Sequence, residues 1–393
     1  MAALDPAVAA VRSAVRGLAV RVLAPSPAAG PTDRPGPAEA PLVLVACSGG
    51  PDSMALAAAA RFVLPRLGLR VGLVTVDHQL QPGSAERAER VATWAREAGF
   101  APVEVRTVSV AGRPGGPEAA ARAARYEALA AAARVHAARA VLLGHTRDDQ
   151  AETVLLALVR GAGPRGLAGM PERRVRDGVE FLRPLLGVAR EQTRAACRAE
   201  GLPVWHDPHN VDPAFRRTAA RTLLALLVDH LGPAVVDNLA RTARLVAADT
   251  TVLDRVAARA LRRARRAGRG GLSVAVLARL PEAIRTRVLL RWAAALGAPG
   301  SALSHRHVAA LDALVTDWRG QGPVSLPGGI PVVRREGALI VARDVGHPVT
   351  ARPGGTPGGP KGRPAVQGPA GVQGQIGGQG RTGGSVTGGG CDG

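Results

Sequence analysis

The sequence predicts an α/β fold built on a parallel sheet, then a smaller, mostly helical/α+β domain and a disordered tail. Three observations carry this. Apolar runs ending in polar clusters alternate with helical stretches from Leu42 to Arg160. Hydrophobic residues make up 46% and charged residues 21% of 393, enough apolar chain for more than one buried core. Past Gly346 the chain is mainly Gly, Pro, Gln, Ala and Thr, which cannot bury a core.

Residues 1–41 come first. Val8 to Val22 repeats apolar positions at helical spacing, with Arg12, Arg16 and Arg21 between them, and predicts an amphipathic helix. Ala24 to Pro41 is rich in Pro, Ala and Gly and reads as a linker. Residues 42–235 form the expected main domain. Its strands are Leu42–Cys47, Leu69–Val76, Val103–Val108 and Ala140–Gly144. Its helices are Met54–Arg61, Gly83–Gly99, Gly116–Ala137 and Asp148–Arg160. A loop at 161–166, a short strand and turn at 181–185, and helices at 188–200 and 215–231 complete it. Residues 236–346 form the expected second domain, with one or two helices to about Arg266, then short helices and strand-like alternation from Ser325 to Val341. Residues 347–393 are the tail.

Strand–helix alternation implies a sheet covered on both faces, with ligands beyond the carboxyl ends of its strands. Three polar clusters fall at such ends: 48–53, 77–79 and 145–152. The first reads Ser48-Gly49-Gly50-Pro51-Asp52-Ser53. Glycines let backbone approach a ligand, and the amides of a helix start favour phosphate. An ordinary strand–helix turn is the plainer alternative for two glycines alone. The only lysine, Lys361, lies in the tail, so no Walker-type lysine is available. Arginines, helix amides and a metal ion must then meet phosphate charge. Asp52 beside phosphates makes sense as a ligand of Mg²⁺.

In the cluster at 145–152, Asp149 and Glu152 are three apart and share a helix face. They could simply complement the helix dipole, or hold a cation: Mg²⁺ or a substrate amino group. Glu118, Arg122 and Arg125 make one face of the fourth helix, either a solvated stripe or a contact for phosphates or RNA. His78, His145, His206 and His209 match no zinc spacing. Arg255, Arg259, Arg262, Arg263, Arg265, Arg266 and Arg269 form a dense basic run without an acid. The net charge is +20, and this run suits a nucleic-acid partner. Nine aromatic residues in all argue against a base-stacking platform. Three scattered cysteines, no CxxC, no signal peptide and no membrane-length apolar run predict a cytoplasmic protein.

SGGPDS after a first strand resembles the PP-loop of the N-type ATP pyrophosphatases. Within that superfamily the chain is most similar to the tRNA(Ile)-lysidine synthases. The narrower match rests on Val76-Asp77-His78-Gln79-Leu80, on Leu143 to Thr153, and on Arg160 to Met170. Arg183-Pro184-Leu185-Leu186 and Asp207 to Asp212 extend it. The resemblance implies an adenine-nucleotide alpha-hydrolase-like fold and a ligase that uses ATP and Mg²⁺. It implies L-lysine and a tRNA(Ile) with a CAU anticodon as substrates. The wobble cytidine is adenylated at O2, and the lysine ε-amine displaces AMP to give lysidine. Codon specificity changes from AUG to AUA and identity from Met to Ile. It implies ATP binding by Ser48, Gly49, Gly50, Pro51, Asp52 and Ser53, metal binding by Asp52, and catalytic roles for Asp52, Arg122 and Arg125. It implies lysine binding by His145, Asp149 and Glu152. Arg217 and Arg221, which the family pattern retains, join Arg262, Arg263, Arg265 and Arg266 as expected tRNA contacts. The oligomeric state is left open, a homodimer included. The rivals are a PP-loop 2-thiolase, an ammonia-using amide synthetase, and a basic RNA-binding protein with a vestigial loop. The lack of paired cysteines, the +20 charge and the intact motifs weigh against them in turn.

Overall fold

Leu42–Ala46 (β1) is buried from Leu42 to Val45 and pairs in parallel with two neighbours, so it sits inside a six-stranded sheet. The structure, a computed structural model, describes residues 4–23, 40–79, 83–110, 112–113, 116–205, 216–268, 270–300 and 302–342. The linker, apart from Ala40 and Pro41, and the tail lie outside them.

Pro6–Val22 (α1) precedes β1, with Asp5 accepting from the amides of Ala7 and Val8 as its cap. Then follow Pro51–Val63 (α2), Arg70–Asp77 (β2), Ser84–Glu97 (α3), Val103–Thr107 (β3), Pro117–Val135 (α4), Ala140–Leu143 (β4) and Arg147–Val159 (α5). The short Pro164–Leu167 helix (α6) leads to Arg173–Arg176 (β5), Val179–Leu182 (β6) and Arg190–Ala199 (α7). The sheet order is β3-β2-β1-β4-β6-β5, parallel except for β5, which pairs antiparallel with β6. The chain leaves β1 toward β2 and returns to its other side with β4. Open α/β sheets bind ligands at such a reversal, outside the strand ends. The expected parallel sheet is present; the short strand expected at 181–185 is β6, shifted to Val179–Leu182, and β5 is an addition to the sheet. Arg173, Arg174 and Arg176 on the edge strand β5 discourage further strand pairing.

The core has two layers. Val43, Val45, Leu73, Met54, Leu56 and Leu18 pack one face under α1, α2 and α7. Leu42, Leu44, Val141, Tyr126, Leu129 and Phe181 pack the other under α4. Both faces of β1 are therefore dry, which explains its unbroken apolar run.

Arg216–Leu231 (α8) and Ala234–Ala267 (α9) follow. Where the sequence allowed one or two helices, α9 is a single 34-residue helix. It buries Ala243, Thr250, Ala257 and Ala264, small residues every seventh position, and so packs closely on α5, α6 and the later Glu282–Ala295 helix (α11). Leu272–Ser273 (β7), Val274–Ala278 (α10), α11, His305–Thr316 (α12), Val324–Leu326 (β8), Ile330–Arg335 (β9) and Ala338–Val341 (β10) complete the described chain. Their sheet runs β7-β10-β9-β8, fully antiparallel, over a core that includes Leu277, Val288, Trp292 and Leu311. No single helix among the described residues is long and apolar enough to cross a membrane.

Candidate active site

The loop after β1 is shaped by its own side chains. Gly49 has φ +83°, and a Cβ there would lie 2.9 Å from Val91 Cγ2, so the position needs glycine on two counts. The Ser48 amide donates to Ser53 Oγ (3.1 Å), and Ser53 Oγ donates to the Gly50 carbonyl (2.9 Å). Gly50 caps α2, and Pro51 opens it with the fixed φ suited to a first helical turn. The amides of that turn are the ones available to a phosphate. The loop meets the end of β4 at Gly144, where a Cβ would lie 3.0 Å from the Asp52 carbonyl oxygen. Backbone cannot yield as a side chain does. Gly144→Ala should therefore displace the loop and lower ATP cleavage roughly tenfold, with a stability loss of about 1–2 kcal/mol by overpacking. Pyrophosphate-release rates and thermal melts check this; unchanged values in both would show that the contact does not hold the loop.

Asp52 stands in the first turn of α2 and faces α7. Thr193 Oγ1 donates to Asp52 Oδ1, and Arg190 Nε lies 3.8 Å from Oδ2. Burial pushes the Asp52 carboxyl up to about 6, Asp149 and Asp148 add to the rise, and Thr193 and Arg190 oppose it. Cys197 Sγ donates to the Pro51 carbonyl (3.2 Å), so α7 braces the loop from below. Among the described residues no three His, Cys, Asp or Glu side chains form a metal cluster. A divalent ion at Asp52 would need phosphate oxygens to complete its shell, as Mg²⁺ in nucleotide sites commonly does. A partly buried carboxylate short of positive charge, beside a phosphate-shaped loop, fits such an ion.

Across the crevice, Thr146 and Asp149 form a capping box on α5. The Thr146 amide donates to Asp149 Oδ2 (2.8 Å), and the Asp149 amide donates to Thr146 Oγ1 (3.4 Å). The plain dipole-capping role is thus real for Asp149, and it occupies one carboxylate oxygen. The other, Oδ1, accepts from Arg190 Nη2 (2.8 Å). Arg190 Nη2 also donates to Glu152 Oε1 (3.0 Å), which accepts from Arg221 Nε as well (3.1 Å). Glu152 Oε2 is buried and has no hydrogen-bond partner among the described residues. Burial would raise the Asp149 carboxyl, but Arg190 and the Thr146 amide outweigh it and hold it below the ordinary value. His145 is buried, and burial together with Arg125 drives its imidazole well below the usual range, so it is neutral near pH 7. Its Nδ1 has no partner among the described residues.

The stripe on α4 is not a solvated one. Arg122 is pushed down to about 10 by burial and by Arg217, and Arg125 is lowered by burial and by Arg217 and Arg183. Neither makes an ion pair with a described carboxylate, and neither does Arg183, which is 1% exposed. Arg183 instead donates to the Pro171 carbonyl (2.7 Å) and to the Tyr126 hydroxyl (3.0 Å). Three cations without carboxylate partners suit an anion, and phosphate above all. Arg217 lies 3.8 Å from Glu118, so with Arg221 it borders the crevice rather than the basic run of α9. In that run Arg255, Arg259, Arg262, Arg263, Arg265 and Arg266 are all exposed. The turn after β2 puts Asp77 Oδ1 under the Gln79 amide (2.9 Å), and burial and Arg125 lower the His78 imidazole. His206, His209 and Arg269 lie outside the described residues.

The structure thus brings Ser48–Ser53, Asp149, Glu152 and His145 to one crevice, bordered by Arg122, Arg125, Arg217 and Arg221. It keeps Arg262, Arg263, Arg265 and Arg266 on a separate helix surface. Sequence reasoning missed Arg190 and Thr193. One signal was present: Arg190 is the first residue of α7, where a cation opposes the helix dipole unless carboxylates surround it.

A family model described as a PP-loop domain matches residues 31–227. A second, described as a TilS substrate binding domain, matches residues 272–340. The protein named tRNA(Ile)-lysidine synthase from Salinispora tropica is 62% identical over 340 residues, spanning 86% of this chain and 97% of the relative. Proteins of the same name from Streptomyces coelicolor and Mycobacterium tuberculosis are 55% and 48% identical. They cover 80% and 76% of this chain and 88% and 90% of their own lengths.

Proposed function

The chain belongs to the tRNA(Ile)-lysidine synthase family, and from that premise we propose that it ligates L-lysine to the wobble cytidine of a CAU-anticodon tRNA(Ile) at the expense of ATP. The observation that supports lysine as the amine is Glu152 Oε2. It is a buried carboxylate oxygen without a hydrogen-bond partner among the described residues, next to Asp149 and across the crevice from the phosphate loop. Leaving such an acceptor unmade is unfavourable, and an ammonium group satisfies it with a charge-assisted bond.

The residues divide the work. Ser48–Ser53 and the α2 amides hold the ATP phosphates. Asp52 would hold Mg²⁺, which neutralises phosphate charge when bound. Arg122 and Arg125 meet the charge that develops at the α-phosphate as cytidine O2 attacks and pyrophosphate departs. Adenylation turns O2 into a leaving group, and the lysine ε-amine then displaces AMP at C2. The ammonium must first lose a proton. An imidazole held well below its usual range is a weak base, so His145 is not suited to take it. Sulfur transfer fits poorly: burial pushes the Cys47 thiol up and the Cys197 thiol up to about 12, away from reactive thiolate. The setting of such chemistry is the cytoplasm.

Incubation with labelled lysine, ATP and the CAU transcript tests the reading. Stoichiometric lysine incorporation with AMP release is expected; none, under conditions where pyrophosphate is released, would defeat it. The α9 surface is proposed as the tRNA dock. Changing Arg262, Arg263, Arg265 and Arg266 together to Gln should flatten the slope of log affinity against log salt by up to about 3. A parallel loss of affinity at every salt concentration, with the slope kept, would place the tRNA elsewhere.

A further inference from the structure

We propose that Arg190 is a positioning residue that makes lysine binding depend on bound nucleotide. This rests on the lysine reading above. One guanidinium joins both halves of the crevice. Its Nη2 lies between Asp149 Oδ1 (2.8 Å) and Glu152 Oε1 (3.0 Å), and its Nε lies 3.8 Å from Asp52 Oδ2. Its backbone amide donates to Asp148 Oδ2 (2.8 Å), which anchors the first turn of α7 to the start of α5. Thr193, one turn on, fixes the same helix to Asp52. Burial disfavours the Arg190 charge, yet the surrounding carboxylates outweigh it and push the guanidinium above its ordinary value.

In this arrangement Arg190 stands where it competes with a substrate ammonium. A second cation placed on Asp149 and Glu152 would face Arg190 across a few ångströms of largely dry protein, where like charges repel strongly. The crevice offers the guanidinium another partner. Phosphate oxygens held by Ser48–Ser53 would lie beside Asp52, within a side-chain rotation of Nε, and a guanidinium engages phosphate with two bonds rather than a shared nitrogen. Nucleotide binding therefore draws Arg190 toward the loop and releases Asp149 and Glu152 to the ammonium. The same residue that weakens lysine binding in the nucleotide-free protein favours it once phosphate is in place. By linkage, lysine must tighten nucleotide binding by the same factor.

The test measures lysine binding by calorimetry to the full chain, with and without Mg²⁺ and α,β-methylene ATP. The wild type should bind lysine about tenfold tighter with the nucleotide, within the usual range of coupling between sites. Arg190→Gln should bind lysine without nucleotide about as tightly as the wild type does with it, and show no further gain. Arg190→Met, which keeps the apolar stem, serves if the Gln variant does not fold. A purely structural role predicts the opposite: weaker lysine binding in both states. That result, or a wild-type affinity indifferent to nucleotide, overturns the proposal while leaving lysine as substrate. Absence of lysine binding in every state overturns both.

Discussion

Asp52→Asn abolishes pyrophosphate release, by a factor of at least about 100, while the protein melts at the same temperature or higher. The two halves of this expectation have one cause. Asp52 is a partly buried carboxylate whose pKa is pushed up to about 6, so the ionised form is held in the fold at a cost. The folded value lies above the ordinary 3.8. Between those two pH values the folded protein binds a proton that the unfolded chain does not, so this group's stabilisation is lost as pH rises through the window. At neutral pH the charge is a burden of about 2–3 kcal/mol, less what its partial exposure screens, which Asn removes while still accepting from Thr193. What Asn cannot supply is the negative charge that would hold Mg²⁺ against the phosphates. Wild-type activity at limiting ATP should accordingly fall as pH drops through about 6, where Asp52 takes up its proton. Pyrophosphate release, its pH profile and thermal melts check all of this. A variant with near-normal release disproves the ionic role, and one that melts well below the wild type disproves the burden.

Glu152→Gln raises the lysine KM by about 10- to 100-fold and leaves the ATP KM within about threefold, the loss expected for one charge-assisted bond. Asp149 compensates only in part, because Thr146 holds Oδ2 throughout and Oδ1 is freed only when Arg190 turns to the nucleotide. Among the described residues, Glu152 Oε2 is the carboxylate oxygen of the pair without a hydrogen-bond partner. The substitution also leaves Arg190 and Arg221 short of charge in a buried place, so a stability loss of about 1–3 kcal/mol accompanies it. Steady-state rates with lysine and ATP varied separately distinguish the two effects. General damage raises both constants together, and an unchanged lysine requirement removes Glu152 from the pocket.

Much of the fold could be read along the chain, for a local reason. β1 and β4 are continuous apolar runs, and β2 is apolar but for Arg70, Thr75 and Asp77, because both faces of the sheet are covered. β5 escaped because it reads Arg-Arg-Val-Arg, an edge strand without apolar alternation. Its place is decided by pairing with β6, which itself depends on β4. Whether 234–267 is one helix or two stayed open because its buried residues are small rather than strongly apolar: Ala243, Thr250, Ala257 and Ala264 mark close packing instead of hydrophobic contrast.

The sequence alone determined the chemistry on offer. It supplied a glycine turn after a buried strand, no lysine near it, Asp52 in the first helical turn, and two carboxylates three apart at the next helix start. These depend on backbone geometry and helical period, both local properties of the chain. Tertiary packing decided which of those groups is spoken for. Thr193 reaches Asp52 across 141 residues, and Arg190 on the same helix gathers Asp149 and Glu152 with it. A carboxylate's availability is set by how many donors already point at it, and those donors come from helices remote in sequence. The order of residues could name Asp149 and Glu152 as a pair, but only α7, packed on α1 and α2 and reaching α5 through Arg190, ties up Asp149 and leaves Glu152 Oε2 without a partner among the described residues.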